Sequence, residues 1–312
     1  MSFKRFSMRN NRQFYFYILC AICAFVSIAA SSWATDSSTG KLSVYVVNYP
    51  LKYFAERIGG EHVKVVFPAP ANVDPAYWMP DINIIAAYQK ADLILLNGAG
   101  YAKWIDKASL PRSKMINTSK KFRDQYIRSE VAVTHSHGPQ GEHAHEDVAF
   151  TTWVDFRLAS LQAEAVAAAL IRKKPDNRQI FEENLGMLKR DLLALDSALH
   201  EIVRKSPSLP LLASHPVYDY LSRGYGLNLR SVHWEPNETP NTEQWVELQK
   251  LLQKHPVKWM IWEGTPLKEP VERLKSLGIN SLVYDPCGNM PQENDFLNVM
   301  HQNIENLQQA FP

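Results

Sequence analysis

PDNRQIFEENLGMLKRDLLALDSALHEIVRK, residues 175–205, is the stretch that decides the architecture. After Pro175 it contains no further proline and only one glycine, Gly186. Its apolar residues fall at Phe181, Leu185, Leu188, Leu192, Leu195, Leu199 and Ile202. The spacing alternates between four and three residues, which puts them all on one face of an α-helix. At 1.5 Å per residue, about 30 residues make a rod of roughly 45 Å. Such a rod is as long as an α/β lobe is wide, so it can run across two lobes and set their spacing.

On both sides of this rod, short β-rich runs alternate with helical patterns. Before it, strands are predicted at Leu42–Val47, Val63–Phe67, Asp92–Asn97 and Lys114–Thr118, with helices at Leu51–Ile58 and Asp81–Lys90. After it, strands are predicted at Leu211–Ser214, Leu227–His233, Val257–Glu263 and Ser281–Asp285. Helices fit at Val217–Arg223, Thr242–Lys254, Pro270–Leu277 and Glu293–Gln309. Such alternation predicts parallel sheets covered by helices. The fold class is therefore α/β, with two lobes, each a parallel sheet flanked by helices, joined by one long linker helix. The predicted organisation is an N-terminal lobe over 41–155, connecting helices over 156–206 and a C-terminal lobe over 207–312. Ligands of such sheets sit at the carboxyl ends of strands, which between facing lobes form a cleft.

The first 34 residues read as a cleavable signal peptide. Lys4, Arg5, Arg9 and Arg12 precede an apolar run from Phe14 to Ala30, and small residues follow at Ser31, Ser32 and Ala34. The run is short for a membrane span. Removing it leaves 30 basic against 32 acidic residues, without the basic field that nucleic acid requires. Cys20 and Cys23 leave with it, so only Cys287 remains and no internal disulfide is expected. The predicted product is a periplasmic monomer.

Four of the ten histidines lie close together: His135, His137, His143 and His145, in HSHGPQGEHAH. Gly138, Pro139 and Gly141 make this a loop, and imidazoles at such spacing can share a metal ion. Zinc, nickel and copper suit imidazole; manganese and magnesium prefer oxygen. Other candidates end predicted strands: His215 after Leu211–Ser214, Glu263 after Val257–Trp262, and Asp285 after Ser281–Tyr284. Asn72, Asp74 and Trp78 follow the second strand and are candidates to line the same cleft. The order His135, His137, His215, His233, Asp285 resembles that of metal-dependent amidohydrolases, but four strands precede the motif and a long helix interrupts the chain, against the regular repeats of a barrel. No G-x-S-x-G, Walker loop or H-E-x-x-H is present. The chain is read as a binding protein and not an enzyme.

Three segments resemble a known family. KADLILLNGAGYAKWIDK (90–107), ASHPVYDYLSRGYGL (213–227) and YDPCGN (284–289) look like motifs of the metal-binding solute receptors of bacterial ABC transporters, the zinc and manganese group. The likeness covers roughly residues 42–312 and includes the long middle helix and the His-rich loop before Trp153. It implies capture of a divalent metal, most simply zinc and alternatively manganese, and delivery to a membrane permease. It also implies that His215 and Asp285 are ligands. Two other family ligand positions carry Ala76 and Thr151, and neither side chain replaces an imidazole. The expected site therefore joins His143, His145, His215 and Asp285 as an N₃O set. His137 and His135 are further candidates, and Glu263 orients a ligand imidazole. An alternative is an organic or chelated-metal ligand in an aromatic cleft lined by Tyr77, Trp78, Trp153 and Trp262. If imidazoles carry the site, affinity for zinc falls below roughly pH 6, as their protons compete with the metal. Calorimetric zinc titration at pH 5 and 7.5 measures that fall.

Overall fold

The computed structural model describes residues 40–71, 73–128 and 148–311. The predicted signal peptide, Asn72 and the histidines of the 135–145 loop lie outside the described residues. No described helix is long and apolar enough to cross a membrane.

The first half contains β1 (Leu42–Val46), α1 (Tyr49–Gly59), β2 (Val63–Val66), α2 (Ile82–Lys90), β3 (Leu93–Leu96) and β4 (Met115–Asn117). Helices α3 (Phe156–Lys173) and α4 (Arg178–Arg204) follow. The second half contains β5 (Pro210–Ala213), α5 (Asp219–Tyr225), β6 (Asn228–Ser231), α6 (Thr242–Lys254), β7 (Trp259–Trp262), α7 (Lys268–Ser276), β8 (Asn280–Val283) and α8 (Phe296–Gln308). The helices start where capping chemistry dictates. Asn48, Asp81, Asp155, Asn241 and Asp295 each accept a backbone N–H in the first turn of α1, α2, α3, α6 and α8.

All strand pairs are parallel, and the sheets run in the orders β2-β1-β3-β4 and β6-β5-β7-β8. The two lobes thus share one strand order. In each, the chain leaves the first strand toward one side and returns to its other side, so a crevice opens past the carboxyl ends of β1/β3 and of β5/β7.

The predicted stripe is the buried face of α4: Phe181, Leu188, Leu192, Leu195, Leu199 and Ile202 are all buried, and Leu185 is half-buried. At 27 residues the helix is about 40 Å long. It packs on α3 and α1 from one side of the molecule and on α8 and α5 from the other. One apolar cluster therefore runs through both lobes, from Val44 and Leu95 past Leu192 to Leu211, Tyr284 and Phe296. Lys41–Pro312 accordingly form a single compact unit.

A second tie lies at the cleft. The loop after β8, Asp285–Asn289, is gripped by the N-terminal half. Trp153 Nε1 donates to Pro286 O at 2.7 Å, and Tyr49 N donates to Gly288 O at 3.0 Å. Asn289 Nδ2 reaches Pro70 O and Val73 O, each at 2.7 Å. Beneath this loop, buried Asn303 of α8 pairs with the Asp285 backbone twice. It accepts from Asp285 N at 2.9 Å and donates to Asp285 O at 2.6 Å. Replacing Asn303 by Leu keeps the branched side-chain shape and strands both backbone groups. At about 1–3 kcal/mol for each unsatisfied group, Asn303→Leu is expected to lower stability by ~3 kcal/mol, measured by urea denaturation.

Candidate metal centre

Each strand of the C-terminal sheet is followed by a side chain with metal-binding chemistry. His215 lies two residues past β5, Glu235 four past β6, Glu263 directly after β7 and Asp285 two past β8. Ladder-like bonds continue beyond β6 and deliver Glu235: Val232 N donates to Ala213 O at 2.9 Å, and Trp234 N to Ser214 O at 2.7 Å. The chain after β6 is thereby held against the residue preceding His215.

His215, Glu235 and Glu263 offer three ligand atoms within 4.8 Å of one another. His215 Nδ1 is 3.4 Å from Glu235 Oε1 and 3.8 Å from Glu263 Oε1. The His233 ring stands edge-on to His215 at 6.0 Å. Such a group can coordinate a divalent ion through one nitrogen and two oxygens, leaving further positions open.

The electrostatics suit a cation. Glu263 is pushed up to about 8, first by burial and then by the charges of Glu235, Asp74 and Asp285. Burial also raises Asp285, against the opposing hydrogen bond from Cys287 N to its Oδ1 at 2.6 Å. Repulsion among carboxylates and loss of water both favour the protonated acid. A divalent ion reverses both effects.

Of the expected residues, two come together. His215 and Glu263 converge, and Glu263 lies close enough to be a ligand as well as an orienting partner. Asp285 is within electrostatic reach of Glu263 but outside the three-residue group. His135, His137, His143 and His145 lie outside the described residues, whose flanks meet in a bridge between Arg128 and Val148. Ala76 and Thr151 are buried, and Thr151 Oγ1 donates to Val217 O at 2.5 Å. The position that resembles a family ligand site therefore joins the two halves through this bond. Cys287 is buried at positive φ, and its thiol is held protonated by burial and by Asp285. That counts against a thiolate ligand.

The aromatic cleft needs correction. Trp262 has no exposed surface and packs behind the C-terminal sheet, 6.1 Å from Trp234. Trp153 is buried against the Asp285–Asn289 loop. Alternation explains the error for Trp262: its neighbour Glu263 faces the strand end, so Trp262 faces the core. Glu235 was missed. It lies two residues beyond the predicted end of its strand, and the strand-end reasoning applied to His215 and Glu263 would have reached it. Two open pockets of about 750 and 600 Å³ lie at the N-terminal sheet, the first also lined by α3, and among the described residues no imidazole lines either.

The chain matches, over residues 44–310, the family model described as the periplasmic zinc-uptake complex component A. A high-affinity zinc uptake system protein of Bacillus subtilis is 24% identical over 312 aligned residues, covering 94% of each chain. A manganese ABC transporter substrate-binding lipoprotein of Streptococcus gordonii is 29% identical over 279, covering 85% of this chain and 80% of that one. The crystal structure of the metal-dependent lipoprotein YcdH of Bacillus subtilis superposes with a TM-score of 0.75 at 22% identity, over 87% of this chain and all of the other.

Glu263 gives a test that needs no metal. Its folded pKa lies above the ordinary 4.5, so the folded state holds a proton that the unfolded state has released. The stabilisation is complete below about pH 4.5 and is lost as pH rises through about 8. Glu263→Gln removes this loss. In chelator, the variant should melt increasingly above the parent between pH 5 and 8.5, by differential scanning fluorimetry.

Proposed function

Because the chain belongs to the zinc-uptake complex component A (ZnuA) family, we propose that it captures a divalent metal ion outside the cytoplasm and hands it to the permease of an ABC transporter. The observation that carries this reading is the convergence of His215, Glu235 and Glu263 at the strand ends facing the cleft. Zinc is the first choice of cargo. It accepts nitrogen and oxygen donors at low coordination number, and a relative is named for its uptake. Manganese is the second choice, favoured by the excess of carboxylates and by the relative named for that ion. His143 and His145 are the candidates for additional imidazoles from the loop.

The protein acts as a carrier and not a catalyst. The ion meets a wall that already carries its neutralising charge. The doubly tied lobes favour local adjustment of the ligands over a wide hinge motion. Binding displaces the proton from Glu263, so capture at neutral pH releases a proton to solution. The exported monomer presents the cleft face to the permease, and no step involves nucleic acid.

Calorimetric titration with zinc and with manganese tests this on the parent, His215→Ala, Glu235→Gln and a variant lacking 135–145. One ion per chain is expected, with affinity lowered about 100-fold in His215→Ala and at least about 10-fold in Glu235→Gln. Binding unchanged in both point variants and lost without the loop would transfer the site to the loop histidines. Failure of the parent to bind either ion would return the reading to an organic or chelated ligand.

A further inference from the structure

The three converging donors all belong to the C-terminal lobe, so an ion held there keeps coordination positions facing the N-terminal lobe. The two family imidazoles that would fill them are absent, at Ala76 and Thr151. What that wall presents is Asp74 beside Tyr101. Asp74 opens the turn after β2: its Oδ1 accepts from Ala76 N at 2.8 Å, and its carbonyl accepts from Trp78 N at 2.9 Å. Lys103 N donates to Ala76 O at 3.4 Å, which pins this turn to the segment carrying Tyr101.

Tyr101 is 7% exposed, and its hydroxyl is shielded from water with no hydrogen-bond partner among the described residues. Buried tyrosine hydroxyls seldom go unmatched, and each such group calls for an explanation. The ring is set edge-on between Phe150 at 5.2 Å and Trp153 at 5.7 Å, so it cannot swing away to find another acceptor. The hydroxyl lies at the facing lobe, 3.7 Å from the β-position of Gly288. The Asp74 charge acts on both Tyr101 and Glu263, which places this carboxylate within electrostatic reach of the hydroxyl on one side and of the ligand group on the other.

We propose that Asp74 is the metal ligand contributed by the N-terminal lobe, and that Tyr101 positions it by donating its hydroxyl to that carboxylate once the ion is bound. The inference rests on the metal reading above and extends it across the cleft. A carboxylate accepts several partners at once, so the bond from Ala76 leaves Asp74 able to serve. Without an ion, the Asp74 charge opposes that of Glu263. With one, it is drawn in, and the hydroxyl gains a charged acceptor. Tyr101 is thus a buried donor matched to the carboxylate of an ion-bound Asp74.

The test is a double-mutant cycle on the purified protein with Tyr101→Phe, Asp74→Asn, their combination, and His215→Ala as reference. Asparagine retains the oxygen that caps Ala76, so folding is preserved. Zinc affinity by calorimetry is expected to fall about 10-fold or more in Asp74→Asn and about 5–10-fold in Tyr101→Phe. The double variant should bind no more weakly than Asp74→Asn alone, since the hydroxyl acts through the carboxylate. Tyr101→Phe should leave the metal-free melting temperature unchanged or raised, which a purely structural tyrosine would not do. Unchanged affinity in Asp74→Asn while His215→Ala loses binding overturns the proposal and leaves the C-terminal site standing. Additive losses overturn the positioning role of Tyr101. Unchanged affinity in His215→Ala as well overturns the site reading and this proposal with it.

Discussion

The bond from Trp153 Nε1 to Pro286 O joins the first residues after the His-rich segment to the loop that carries Asp285. Most of the cleft depends on it and its neighbours. Without them, the Asp285–Asn289 loop would hang from β8 alone, and the carboxylates behind it would be free to move apart. With Tyr49, Asn289 and Asn303 also engaged, the loop is fixed from both lobes and from α8 beneath. The long helix works in the same sense on a larger scale. Its apolar face packs on elements of both halves, so the lobes share one core, and a hinge between them would have to expose it.

That rigidity permits an unfavourable arrangement of charge. Burial weakens the screening of like charges, and Glu263 lies within reach of three other acids. Flexible loops would let these groups separate into water. Here Glu235, Glu263 and Asp285 are held at strand ends of one sheet, and Asp74 is held in the turn after β2 by its bond from Ala76 N. Repulsion is thereby stored at the cleft, and a bound divalent ion would relieve it. If these residues hold the ion, stability and affinity are opposed at the same place, a common relation at functional sites.

The fold was largely legible in the sequence. The strands, the seven-residue stripe on α4 and the capping residues Asn48, Asp81 and Asn241 all follow from local chemistry that needs no tertiary information. The site was legible where strand ends were marked by short apolar runs, as for His215 and Glu263. Glu235 lies two residues past the predicted strand end, and it is the continued pairing beyond β6 that brings it to His215. Trp262 was misplaced because a fully apolar strand, WMIW, does not reveal which of its faces meets the cleft. The roles of Thr151 and Tyr101 depend on contacts across the cleft that no local pattern encodes.

The shared strand order of the two sheets has a consequence for how an ion arrives. Where the C-terminal strands end in His215, Glu235, Glu263 and Asp285, strands β1, β3 and β4 end in Asn48, Asn97 and Thr118. These are neutral, and they are satisfied by one another and by Gln162: Asn48 Nδ2 donates to Asn97 Oδ1 at 3.3 Å, and Gln162 Nε2 to Asn97 Oδ1 at 3.1 Å and Thr118 Oγ1 at 3.0 Å. With one carboxylate, Asp74, on the amide-rich wall against Glu235, Glu263 and Asp285 on the other, the negative charge of the crevice is weighted toward the C-terminal side. A diffusing cation is steered to one side before any ligand touches it, and dissolved salt, by screening that field, slows the encounter more than it weakens the final grip.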